Sequence, residues 1–426
     1  MPDLHDRLER LRQAGRLQRR FGLKMAAELD PPAPKPPAAS PLRDLRDLPG
    51  MEEVTSPAGR FLLRTLRFDL DHTQGQLRLG ELLRLPVGSA ALADAELVAL
   101  DFEQAVFLDT ETSGLVGGAG TIVFLTGVGR FEDGQYVVRQ YFARDPAEEG
   151  AYLPHLYDLL NRARGVVSFN GKSFDLPLLR SRFILAGLPA PDLGLPHLDL
   201  LHPARRLWRS RLGACNFGHL EQRVLGHHRG ADDVPSWLIP SLWLRFAAGA
   251  NNVDDMARVL QHNLDDIVSM VPLACVVCRA LSGIAAPHPA DWLALGHIHL
   301  REGRLTEAEA AFRGALKDDL APEQRFEAML GLAAALKRMR RLAEAVRWWE
   351  QAIALDPARD PEPYIELAKY WEWEARDPTT ALRHTQAALT LVEGWPRSYA
   401  RSQWLTELEH RRLRLLAKLG AGTETL

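Results

Sequence analysis

The chain has 426 residues, 46% of them hydrophobic and 25% charged, with a formal net charge of −3. That length allows two or three domains with a sizeable core, and the composition is that of an ordinary globular protein. The slightly acidic balance excludes a general polyanion-binding surface, so any nucleic-acid contact is expected to be confined to a groove. The start (Asp3, His5, Asp6, Arg7, Glu9, Arg10) is charged and amphipathic and does not read as an export signal. The most apolar later stretch, 267–286, is interrupted by Pro272 and Arg279 and does not read as a membrane span. With three cysteines, a disulfide framework is not expected and a reducing cytoplasm is. Cys275 and Cys278 form one Cys-x-x-Cys without a second pair to complete a zinc site, so they read as helix-buried thiols.

Residues 4–28 read as an amphipathic helix with Leu4, Leu8, Leu11 and Leu17 near one face. The proline-rich stretch 30–37 then stiffens the chain into an extended linker. This gives an N-terminal segment over 1–58, followed by a lead-in of short strands and a helix over 59–100. The run Ala105-Val106-Phe107-Leu108 next reads as a buried strand that ends in Asp109-Thr110-Glu111-Thr112-Ser113-Gly114. Side chains along a strand alternate with a period of two, so Asp109 and Glu111 share a face. Two such charges repel unless a cation lies between them, and a carboxylate pair suits a hard ion such as Mg²⁺ or Mn²⁺. The alternative is a strand end whose acids meet only water.

A glycine-rich bend (Gly114, Gly117, Gly118, Gly120) leads to an apolar strand at 122–128. Asp133-Gly134 marks a two-residue hairpin into a third strand at 136–142. Asp145-Pro146 opens a helix to about 163, and Val166 to Phe169 make a short buried strand. Asn170-Gly171-Lys172-Ser173-Phe174-Asp175 follows, then a helix over 176–186, for which Asp175 is either an N-cap or a ligand. After a strand ending at Asp199 come helices near 200–208, 220–225 and 237–248. A helix over 254–279 carries His262 and Asp266, four apart and so on one face.

The order β-β-β-α-β-α-β with a later helix resembles the RNase H-like fold, a mixed five-stranded sheet flanked by helices, over 101–284. Three motifs sharpen the resemblance: Phe-Leu-Asp-Thr-Glu-Thr-Ser-Gly-Leu at 107–115, Ser-Phe-Asn-Gly-Lys-Ser-Phe-Asp at 168–175, and His-Asn-Leu-Asp-Asp-Ile at 262–267. Together they resemble the DEDD-type 3′–5′ exonucleases, and within them the YprB-like bacterial branch. The resemblance implies that Asp109, Glu111, Asp175 and Asp266 bind two ions, Mg²⁺ or Mn²⁺, for phosphodiester hydrolysis. It places the general base at His262, whose three intervening residues before Asp266 are the family's Tyr spacing filled by a His. Thr110, Thr112, Asn170 and Lys172 lie where contacts to the scissile strand are expected, although Lys172 reads equally as a solvated loop charge. Arg205, Arg206, Arg209 and Arg211 either line a groove or form a solvated face, and Trp208, Trp237 and Trp243 at helical spacing read as core.

From residue 287 the pattern changes to small and large residues at tetratricopeptide offsets. Trp292, Leu295, Gly296, Ala308, Phe312 and Ala315 begin it; Leu332, Ala333, Ala345, Trp349, Ala352 and Pro357 repeat it; Leu367, Ala368, Ala381 and Ala388 form a weaker third copy. A capping helix is expected at 401–419, and the all-α domain at 287–426 is expected to bind a protein or peptide, to pack on the first domain, or to self-associate. The expected activity is 3′–5′ exonucleolytic cleavage of single-stranded DNA or RNA. The alternatives are a nucleic-acid-binding scaffold without turnover and a structure-specific endonuclease.

Overall fold

Residues 1–43 and 44–426 form two units. The computed structural model describes residues 42–114, 120–189, 194–283, 288–317 and 319–421. The expected helix at 4–28, the proline-rich stretch at 30–37, and Leu115, Gly117 and Gly118 of the bend lie outside the described residues.

The main sheet is built from Met51–Ser56 (β1), Gly59–Asp69 (β2), Ala105–Thr112 (β3), Val123–Glu132 (β4), Gln135–Phe142 (β5), Gly165–Ser168 (β6) and His197–Asp199 (β7). Their order in space is β1-β2-β5-β4-β3-β6-β7. β3 to β6 and β6 to β7 are parallel, and every other neighbour is antiparallel. The hairpin at Asp133-Gly134 forms as expected, with φ of 50° and 76° at the two residues.

The five expected strands form as β3 to β7, and two more from the preceding residues, β1 and β2, extend the sheet to seven. β2 pairs with β5 from Leu62↔Phe142 to Asp69↔Gln135 and so carries β1 into the sheet. The expected boundary at residue 58 therefore cuts a hairpin. β1 has no buried position, as suits the edge of the sheet, and in β2 burial is confined to Phe61, Leu62 and Arg64.

Helices cover both faces: Glu149–Leu160 (α1), Asp175–Leu185 (α2), Leu201–Leu212 (α3), Phe217–Leu220 (α4, continuing as a π turn to Leu225), Ile239–Ala247 (α5) and Val253–Leu281 (α6). Period-two alternation on β3 decides which helix each side chain meets. Val106 and Leu108 pack into the core with α1 and α2, whereas Ala105 and Phe107 pack into the core with α6. Cys275 and Cys278 are buried in α6, and burial pushes their thiols up to about 11 and about 12. No helix among the described residues is long and apolar enough to cross a membrane.

The C-terminal part is three helix pairs and a long final helix: Pro289–Arg301 (α7) with Leu305–Lys317 (α8), Pro322–Arg338 (α9) with Leu342–Leu355 (α10), Glu362–Trp373 (α11) with Pro378–Glu393 (α12), then Tyr399–Ala421 (α13). Close helix approach explains the small residues. A Cβ on Gly296 or Gly331 would come within 2.5 or 2.3 Å of the buried Phe312 ring. Glu372 of α11 accepts from Arg411 and Arg414 of α13 at 2.7 and 2.8 Å and from Lys418 at 2.8 Å, which pins the last helix.

α3 joins the two parts. Arg211 grips Asp291 of α7 through Nε at 2.7 Å and Nη2 at 3.1 Å, and the Asp291 side chain is 1% exposed. Removing one partner of a buried pair strands the other charge away from water. Arg211→Ala is expected to lower unfolding stability by about 3 kcal/mol. The double change Arg211→Met with Asp291→Leu should recover most of that in chemical denaturation, because it removes both charges and refills the volume.

Candidate active site

The last residue pair between β3 and β6 is Leu108↔Ser168. Beyond it β3 continues through Asp109 to Thr112 while β6 gives way to a loop, and a cleft of about 590 Å³ opens at this divergence. Alternation sends Asp109 and Glu111 to the α6 side, where His262 and Asp266 present themselves one turn apart. Asp175 enters from the opposite side as the first residue of α2. It is not the N-cap: that position is Phe174, and the Asp175 carboxylate reaches instead to β3, accepting from Thr110 N at 3.1 Å and from Thr110 Oγ1. All five residues line the cleft.

A close approach of α6 to the sheet fixes Asp109. Asn263 is fully buried; its Oδ1 accepts from Gln140 Nε2 at 2.9 Å, which aims its Nδ2 at Asp109 Oδ2, 2.8 Å away. Gly127, paired with Asp109 across β4, makes room: a Cβ there would lie 2.3 Å from Asn263 Oδ1.

Electrostatics follow from this crowding. Burial pushes the Asp109 carboxyl well above the ordinary carboxylate range, and the charges of Asp266, Asp175 and Glu111 push it further. Glu111 is raised for the same reasons, burial first and then Asp266 and Asp175. Burial lifts Asp175 from 3.8 to about 6, against the hydrogen bonds from Thr110. Ligand atoms of Glu111, His262 and Asp266 lie within 4.8 Å of one another. This tightest group takes in His262, where the sequence reading has only carboxylates. An oxygen-rich set with one imidazole fits a hard divalent cation, and such an ion relieves the repulsion directly.

Sequence reasoning missed the layer behind these residues. Arg229 donates through Nε to Glu221 at 2.7 Å, through Nη2 to Asp266, and stands 3.7 Å from Asp233. It supplies one positive charge to a cluster of acids; burial opposes its charge, but Asp266 and Glu221 hold its proton firmly. His262 Nδ1 lies 2.7 Å from Asp233 Oδ1 and 3.1 Å from Arg229 Nη1, and Nε2 lies 3.4 Å from Ser236 Oγ. The only signal for Arg229 and Asp233 was polarity in a loop between helices, which does not specify a contact.

Asn170 lines the cleft in a left-handed conformation, φ 68°. Asp199 imposes it: the buried carboxylate accepts from Asn170 N at 2.7 Å, Lys172 N at 3.1 Å and Leu201 N at 3.1 Å. Lys172 and Thr112 do not reach the cleft. Lys172 Nζ is 3.8 Å from Asp94, and Thr112 Oγ1 donates to Gly114 O at 2.7 Å. The hydroxyl of Thr110 is committed to Asp175. Trp208 and Trp243 are core, as expected, but Trp237 is 69% exposed.

Comparison with known proteins agrees with this architecture. The RNase_H superfamily matches residues 106–277 and the tetratricopeptide repeat matches residues 292–317. A Bacillus subtilis (strain 168) protein described as "Uncharacterized protein YprB" is 30% identical over 341 residues, which cover 77% of this chain and 80% of that protein.

The raised carboxyls carry a stability prediction with a definite sign. An acid whose folded pKa exceeds its unfolded value weakens the fold progressively as pH rises from the unfolded value to the raised one, stays at full effect above that, and has no effect below the unfolded value. Asp109→Asn is therefore expected to stabilise the protein in chelator at pH 8 by on the order of 1 kcal/mol, a melting-temperature rise of a few degrees. The gain should fade as pH is lowered through about 4 and vanish below about 3, where the carboxyl is protonated in both the folded and the unfolded chain. Mn²⁺ should raise the melting temperature of the parent chain more than that of the variant, which scanning calorimetry would read.

Proposed function

The chain belongs to the YprB-like branch of the RNase H superfamily, and from that premise we propose that it is a divalent-metal-dependent 3′–5′ exonuclease acting on single-stranded DNA or RNA ends. The observation that carries the reading is the convergence of Asp109, Glu111, Asp175 and Asp266 on one cleft, with Arg229 paired to Asp266 behind it. Of the four carboxylates only Asp266 is paired with a guanidinium, that of Arg229, so Asp109, Glu111 and Asp175 leave negative charge that cations would balance.

In this reading Asp109, Glu111, Asp175 and Asp266 hold two ions, which when bound activate a water and steady the departing oxygen of a phosphodiester. His262 takes the proton of the attacking water. In this reading its Nδ1 donates to Asp233 Oδ1 at 2.7 Å rather than accepting from Arg229 Nη1 at 3.1 Å, which leaves Nε2 to accept. Asn263 keeps Asp109 aimed into the cleft, and Asp199 keeps Asn170 turned towards it. Arg229 holds Asp266 in place while offsetting part of its charge.

A second reading, a nucleic-acid-binding scaffold without turnover, draws support from the same Arg229, which occupies one carboxylate of the quartet. Cleavage assays separate the two. With 5′-labelled single-stranded DNA and RNA and Mn²⁺ or Mg²⁺, the expected product is a ladder shortening from the 3′ end, abolished by chelator. Asp109→Ala should lower the rate by roughly a thousandfold or more. Internal cuts at branched junctions would favour an endonuclease, and an uncut strand that still binds would favour the scaffold.

A further inference from the structure

The four arginines of α3 divide into two kinds. Arg206 donates to Ala93 O, and Arg211 grips Asp291, so both are committed to the fold. Arg205 and Arg209 are not: they are exposed, they line the cleft, and no carboxylate pairs with them among the described residues. They lie four apart on one helix face, where like charges repel. α3 carries no acidic residue to offset them. The helix dipole favours Arg209 in the last turn but not Arg205, which lies in the middle of the helix. An unrelieved cationic pair beside an acidic metal-type site is suited to a polyanion.

Trp237 supplies an independent observation. Its indole is 69% exposed, the chain having placed a large apolar ring in water. The turn that presents it is fixed, with Leu238 N donating to Pro235 O at 2.8 Å and Leu238 packed against the core around Trp243. Its neighbour Ser236 lines the cleft and sits 3.4 Å from His262 Nε2. Phe169 and Phe174 line the cleft as well.

We infer that Arg205, Arg209 and Trp237 form a track for single-stranded nucleic acid leading to the carboxylates, the guanidiniums taking backbone phosphates and the indole stacking on a base. The inference rests on the nuclease reading of the cleft and adds to it how a strand is selected. A base offers its face to an indole only when it is unpaired, so the track discriminates against duplex.

The test is fluorescence anisotropy on the full chain with labelled oligodeoxythymidine in chelator, over a salt series. Arg205→Ala with Arg209→Ala is expected to weaken binding and to reduce the slope of log affinity against log salt by about 1.4, two phosphates at roughly 0.7 each. Trp237→Ala should weaken binding roughly 5- to 150-fold and leave duplex binding unchanged, with Trp237→Phe restoring most of it. All these side chains are exposed, so melting temperatures should stay at the parent value. Equal affinity and slope in the variants, or no binding by the parent chain, would overturn the track. Binding through these residues without cleavage would remove the nuclease reading and leave the track; cleavage by a parent chain whose variants bind equally well would remove the track alone.

Discussion

Burial of neighbouring carboxylates at the end of β3 is the constraint on which the rest of the site depends. Asp109, Glu111 and Asp175 all have carboxyls pushed up, with burial the largest cause in each. A fold selected for stability alone would not place these acids out of water beside one another. The surrounding residues offset the strain only in part: Asn263 donates to Asp109, Thr110 donates to Asp175, and Arg229 pairs with Asp266. The remaining charge is the electrostatic handle for a cation, so the features that destabilise the site are the ones that would let it bind metal.

Strand geometry turns that constraint into a defined place. A period of two puts Asp109 and Glu111 on the α6 side, and a helical spacing of four puts His262 and Asp266 opposite them. Asp175 needs a third device, because β6 stops at Ser168 and the chain must turn within six residues to start α2 at Asp175. Asp199 provides it by holding the backbone at Asn170, Lys172 and Leu201. The loop is therefore fixed by an acid that does not line the cleft and that at the same time accepts from the first N–H of α3.

The sequence made these periodic features legible. The apolar run into Asp109, the Asp133-Gly134 hairpin, the α6 face and the tetratricopeptide spacing each repeat at a fixed interval, and intervals can be read without coordinates. Contacts that depend on which loop meets which helix left no such trace. Arg229 and Asp233 lie in a polar stretch whose partner, α6, is about thirty residues further along. β1 fell in the N-terminal segment and β2 in the lead-in, because β1 has no buried position and β2 is buried only at Phe61, Leu62 and Arg64. Asp175 looked like a cap because Asp before a helix has that preference, and only the position of Thr110 shows where its carboxylate goes.

α3 gives the repeat domain a physical connection to the cleft. Two arginines of this short helix, Arg211 and Arg206, are spent on Asp291 and Ala93, while Arg205 and Arg209 face the cavity. A helix held at one face by a buried bidentate pair has little freedom to rotate at the other. The packing of α7 on α3 therefore sets the direction in which Arg205 and Arg209 point. The repeats need not touch a substrate to matter to the cleft: they fix one of its walls, and anything that shifted α7 would shift the two arginines with it.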